Sequence, residues 1–104
     1  MSDSIVNNDP DHSIVILGRV TNKNSDLFGF NEQVKNYLLL KYSEAGVYWC
    51  SSESGKEEQI SVKDSPMAVI NYLAKLNYHI AFISGSPINN NYYMWTLIKK
   101  GENK

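Results

Sequence analysis

The stretch Asp64-Ser65-Pro66-Met67-Ala68-Val69-Ile70-Asn71-Tyr72-Leu73-Ala74-Lys75-Leu76-Asn77-Tyr78-His79-Ile80-Ala81-Phe82-Ile83-Ser84 reads as a helix followed by a strand. Ser65 is a good N-cap, because its hydroxyl can accept from an amide of the first turn. Pro66 suits the first helical position, where a missing N–H costs nothing. Val69, Ile70, Leu73 and Leu76 recur at spacings of three and four and form one apolar stripe, with Asn71 and Lys75 on the opposite, water-facing side. Asn77 tolerates positive φ and suits the residue just past the helix. From Tyr78 to Ser84 the residues turn β-branched and aromatic, which reads as strand.

Downstream, Gly85 to Asn91 is too long for a tight hairpin turn and reads as a loop. Tyr92 to Ile98 is the last strand, and Gly101 to Lys104 should fray. Upstream, Gln59-Ile60-Ser61-Val62 alternates and returns from the aromatic strand Val47–Ser51 across a turn at Ser52–Lys56. Asn31 to Tyr42 reads as a helix capped by Asn31, with Phe30, Val34, Tyr37, Leu38 and Lys41 at helical spacings. Its Tyr37-Leu38-Leu39-Leu40 run is also compatible with strand. Asn22 to Gly29 reads as a loop. Ser13 to Thr21 is a β-branched run of the kind found in central strands. Residues 1–12 are polar and read as a disordered tail.

The expected domain therefore covers residues 13–100. It is α+β, with a mostly antiparallel sheet in βαββαββ order and two helices on one face. The other face is expected to carry alternate strand residues such as Tyr93 and Trp95. Two Trp, seven Tyr and three Phe are many for one small core, so some are candidates for a partner surface, where aromatics are enriched.

Composition limits the function. A chain of 104 residues, 42% hydrophobic and 20% charged, has room for one core with a thin margin of stability, which association would widen. Its net charge of -1 and the absence of a basic stripe argue against nucleic acid; Lys99-Lys100 reads as a solvated strand end. A single cysteine, Cys50, excludes an internal disulfide and fits a reducing compartment. The N-terminal stretch lacks the pattern of a signal peptide, and no apolar run reaches the roughly 20 residues of a membrane span. Cytoplasm is the expected location.

Catalytic chemistry is not evident. His12 lies in the tail and His79 opens a strand, so no pair has zinc spacing and no metal site is expected. Cys50 reads as a buried, inert thiol. Glu53, Glu57 and Glu58 lie in or beside the hairpin turn and read as a solvated charge run, and Asp64 serves the helix N-terminus. No glycine-rich phosphate loop or nucleophile elbow occurs. No catalytic residue and no cofactor are expected. A small enzyme of another kind would have to draw on His79, Cys50 and Asp64.

From Asp64 to Lys100 the chain resembles the C-terminal part of the GTP cyclohydrolase I feedback regulatory protein family. Asp64-Ser65-Pro66 looks like that family's acidic-then-proline helix start, and Val69-Ile70-Asn71-Tyr72-Leu73-Ala74-Lys75-Leu76 like its helix. Asn77-Tyr78-His79-Ile80 stands where the family has glycine, an aromatic, a basic and a β-branched residue. Ile83-Ser84-Gly85 precedes its loop, and Met94-Trp95-Thr96-Leu97-Ile98-Lys99-Lys100 matches a Trp-containing final strand ending in basic residues. Ser13 to Thr21 fits its first strand more loosely. The family starts almost directly at that strand, and its glycine-rich loop is shorter and ends in Gln, for which Asn91 is the nearest match.

The resemblance implies a non-catalytic regulator that caps GTP cyclohydrolase I as a homopentameric ring. Such a complex mediates inhibition by tetrahydrobiopterin and activation by phenylalanine. It also implies an effector site at the enzyme interface, near Val20 at the end of the first strand and Gly85 and Asn91 in the loop. An alternative is an ACT-like amino-acid sensor, whose βαββαβ order matches the first six expected elements and which would pair as a dimer.

Overall fold

The computed structural model describes residues 11–52, 55–86 and 92–101. Along the chain lie β1 (His12–Arg19), β2 (Ser25–Phe28), α1 (Glu32–Lys41), β3 (Gly46–Ser52), β4 (Gly55–Val62), α2 (Pro66–Ala74), β5 (His79–Ser86) and β6 (Tyr92–Lys99). The six strands form one antiparallel sheet in the order β3-β4-β2-β1-β6-β5. The class is α+β as expected, but the order is ββαββαββ rather than βαββαββ.

The added strand is β2, inside the segment Asn22–Gly29 expected to be a loop. Its residues alternate in burial, with Ser25 and Leu27 inside. The polar members are satisfied by distant parts of the chain. Ser25 Oγ donates to the Asp64 carbonyl at 2.9 Å, and Asp26 accepts from Ser61 Oγ at 2.6 Å. Polar side chains with half-buried partners conceal the apolar alternation that marks a half-buried strand.

Both helices cover the same face. Val34 and Leu38 of α1 and Val69, Ile70 and Leu73 of α2 join Ile14, Ile16, Leu27, Ile60, Val62, Trp95 and Leu97 in one buried core. The capping residues act as their chemistry predicts. Asn31 accepts from the Val34 amide at 2.9 Å, Ser65 accepts from the Ala68 amide at 3.3 Å, and Pro66 opens α2. Asn77 has φ 69°. The helices are joined by Tyr37 and Tyr72, whose rings stack at 4.1 Å while the Tyr72 hydroxyl donates to the Tyr37 carbonyl at 2.7 Å. Asp64 accepts from the Ser65 amide and from the Tyr42 hydroxyl, and so ties the end of α1 to the start of α2.

Several expectations are corrected. Trp95 is 4% exposed and belongs to the core, with Tyr93 packed against it, so the uncovered face carries neither. Period-two alternation puts Tyr93, Trp95 and Leu97 on one face, and the pairing of Trp95 with Ile16 makes that the helix face. Glu57 and Glu58 lie within β4, and Glu58, rather than being a solvated charge, pairs with Lys35 of α1 at 2.8 Å. Cys50 is half-buried, its thiol donating to Gln59 Oε1 at 3.2 Å. His12 belongs to β1 rather than to a tail, and Asp11 accepts from the Gly101 amide at 2.9 Å. That bond, with Lys100 nearby, holds the Asp11 carboxyl below its usual range. The expected turn residues Glu53 and Ser54, residues 1–10 of the expected tail, and 102–104 lie outside the described residues. Among the described residues no helix is long and apolar enough to cross a membrane.

Candidate functional site

The register of β6 brings the end of β1 and the end of β5 to one end of the sheet. Gly18 and Gly85 both pair with Tyr93, and Arg19 and Ser86 both pair with Tyr92. Val20 follows directly, in a turn closed by the Asn22 amide donating to the Arg19 carbonyl at 3.2 Å, and is 45% exposed. Of the three predicted site positions, Gly85 therefore pairs with one of these tyrosines, and Val20 stands one residue beyond the partner of the other. Asn91 lies outside the described residues.

Gly85 sits within β5 rather than in a loop, and the geometry there requires glycine. Its φ is +147°, and a Cβ would meet the Tyr92 carbonyl oxygen at 2.5 Å and the Tyr93 ring at 2.8 Å. Gly18 on the other side of Tyr93 is constrained by close approach alone, because a Cβ would meet Pro66 Cγ at 2.8 Å and the Asn24 carbonyl oxygen at 2.9 Å. Glycine on both neighbours lets the Tyr93 ring lie close to β5 and the start of α2 close to β1. Gly85→Ala is expected to cost about 1–3 kcal/mol of stability through strain at that φ. Urea denaturation measures it, and an unchanged midpoint would contradict the close approach.

Sequence reasoning missed Arg19 and Tyr92. The guanidinium of Arg19 lies 5.9 Å from the centre of the Tyr92 ring. A cation beside an aromatic face, next to exposed Val20, can hold a carboxylate and an apolar ring together. The signal was the register, which no single segment reveals. Other hollows border α1 and its C-terminus. One of about 190 Å³ is bounded by Lys41, Tyr42, Glu44 and Lys63, and one of about 550 Å³ by Tyr37, Leu39, Leu40 and Leu76.

The groups an enzyme would have to draw on are not brought together. Cys50 is on β3 and His79 on β5, at opposite edges of the sheet. Five strand spacings separate them, roughly 24 Å. Asp64 is engaged by Tyr42 and Ser65 between β4 and α2. Among the described residues no group of three or more His, Cys, Asp or Glu could hold a metal ion. No known protein family matches the chain, and no curated protein matches it either.

Proposed function

We propose that the chain is a non-catalytic regulator that binds GTP cyclohydrolase I and mediates its inhibition by tetrahydrobiopterin and activation by phenylalanine. The observation that carries this reading is that Arg19, the residue before Val20, and Gly85 pair from opposite sides with the adjacent tyrosines Tyr92 and Tyr93. In the family that the segment Asp64–Lys100 resembles, the corresponding strand end and loop border the effector site. Arg19 and Tyr92 add chemistry that suits phenylalanine, a carboxylate beside an aromatic ring. An effector gripped between regulator and enzyme shifts the enzyme by its differential affinity for two states, and the regulator needs no reacting groups of its own. On this reading it acts in the cytoplasm as a homopentamer, with Asn91 completing the site.

The test is GTP turnover by a cyclohydrolase with and without the chain, in the presence of tetrahydrobiopterin or phenylalanine. A rate change that needs both chain and effector is expected. Arg19→Ala or Val20→Glu should abolish it while leaving the fold intact, since both residues are exposed. No complex and no rate change would remove the reading. The ACT-like alternative rested on βαββαβ as the first six elements, whereas the observed first six are ββαββα.

A further inference from the structure

The sheet face turned away from the helices does not follow the pattern of a one-sided antiparallel sheet, in which apolar residues point inward and polar residues meet water. Val15 and Leu17 of β1, Phe28 of β2, Met94 and Ile98 of β6 and Phe82 of β5 stand on it, alternating with the core residues of the same strands. The register sets them side by side. One row runs Phe28, Val15, Thr96, Phe82, and Leu17 pairs with Met94 in the next. Phe82 is 67% exposed and Met94 38%, and the other four are half-buried. β1 therefore carries the two-sided apolar run of a fully covered strand, yet the helices cover one of its faces.

The polar side chains of that face satisfy one another. The Cys50 thiol donates to Gln59 Oε1 at 3.2 Å, Gln59 Nε2 donates to Ser61 Oγ at 2.9 Å, and Ser61 Oγ donates to Asp26 Oδ1 at 2.6 Å. This line of hydrogen bonds crosses β3, β4 and β2. A polar group that already has its partner loses less on being covered than one that must give up water. Charges stand mainly at the two ends of the face, Arg19 at one and Glu57 at the other. Among the described residues Asp26 is the one charged side chain between them. An apolar centre with charges at its margin is the composition of an interface.

We infer that two copies of this chain pack these faces against each other about a two-fold axis, as two sheets roughly 10 Å apart with the helices outside. Six strands about 4.8 Å apart and about six residues deep make a face of roughly 30 by 20 Å, so two copies cover about 1,200 Å² between them. That clears the ~1,000 Å² expected of a specific interface. A second copy matches this face in width and in twist, and sheets of the same twist pack aligned to within about 30°. A two-fold contact sets the same patch on both sides, which a strongly charged patch would oppose and this one does not. The net charge of -1 adds little repulsion between copies. The inference goes beyond the regulator reading and does not rest on it.

Light scattering reads the joint as a factor of two, because a two-fold contact holds two equal halves together. Met94→Lys, in the middle of the patch, should give particles of half the wild-type mass at the same concentration, with native circular dichroism. Leu40→Lys, 80% exposed on the helix side, should leave the wild-type mass unchanged. If Met94→Lys loses its fold, Phe82→Lys, the most exposed member of the patch, replaces it. A monomeric wild-type chain overturns the inference. So does a wild-type mass that neither face variant lowers, which would mean that copies join elsewhere, and so does a fall in mass with Leu40→Lys. A five-copy particle indifferent to Met94→Lys would keep the regulator reading and remove this one. A pair that Met94→Lys splits, in a chain without effect on a cyclohydrolase, would do the reverse.

Discussion

Leu27→Ala is expected to lower the stability of the domain by about 2–5 kcal/mol, read as a shift in the urea midpoint. Leu27 is 0% exposed and lies between Ile16 of β1 and Ile60 of β4 in the row beneath the helices. Removing its branched end leaves a cavity that the flanking strands cannot close without breaking their pairing. A small domain holds only about 5–15 kcal/mol in total, so the loss should leave a measurable fraction unfolded at room temperature. Leu40→Ala provides the contrast. Leu40 sits in the apolar run Tyr37-Leu38-Leu39-Leu40, yet it is 80% exposed. Its removal should change stability by less than about 0.5 kcal/mol. If the two effects came out in the reverse order, β2 would not be a strand of this sheet.

That contrast also shows where the sequence was legible. The segment from Ser65 to Ser84 announced itself because cap, first-turn proline, apolar stripe and following β-branched run all agree locally, and α2 and β5 appear where those signals put them. β2 did not, because half of its residues are polar and their partners, Asp64 and Ser61, lie 39 and 35 residues away. For β6 the alternation groups Tyr93, Trp95 and Leu97 correctly but carries no information about which face the helices cover. That choice is made by the pairing of β6 with β1. The candidate site shows the same limit. Val20 and Gly85 come from separate stretches of chain, and the pairing of β6 brings the end of β1 and the end of β5 to its own start. Arg19 and Tyr92 gain their meaning only from being partners across two strands. Local signals specify elements, whereas register and phase are properties of pairs.

Alkaline pH should unfold the domain more steeply than its small net charge suggests, because three tyrosines resist ionisation in the folded state. Burial pushes the Tyr42 hydroxyl far above its ordinary value, and its hydrogen bond to the Asp64 carboxylate adds to this. Burial likewise raises Tyr72, whose ring lies against Tyr37, and Tyr78, which is 1% exposed. In the unfolded chain these groups lose their protons near the ordinary tyrosine value of about 10. The folded pKa values are raised, so the stabilisation is fully present below that pH. It is lost as pH rises toward the folded values, because only the unfolded state then releases protons. Each such tyrosine steepens the loss by up to about 1.4 kcal/mol per pH unit. Urea unfolding at about pH 8, 10 and 11 should therefore give a plateau followed by a fall. Tyr78→Phe separates this effect from general charge repulsion. It removes the hydrogen bond that the hydroxyl shares with His12 Nδ1 at 2.5 Å, which should cost about 0.5–1.5 kcal/mol at neutral pH. Above about pH 10 it should also make the fall shallower by one tyrosine's share. A variant that is weaker at neutral pH yet falls as steeply as the wild type would mean that Tyr78 ionises as readily folded as unfolded, and that its burial does not hold the proton.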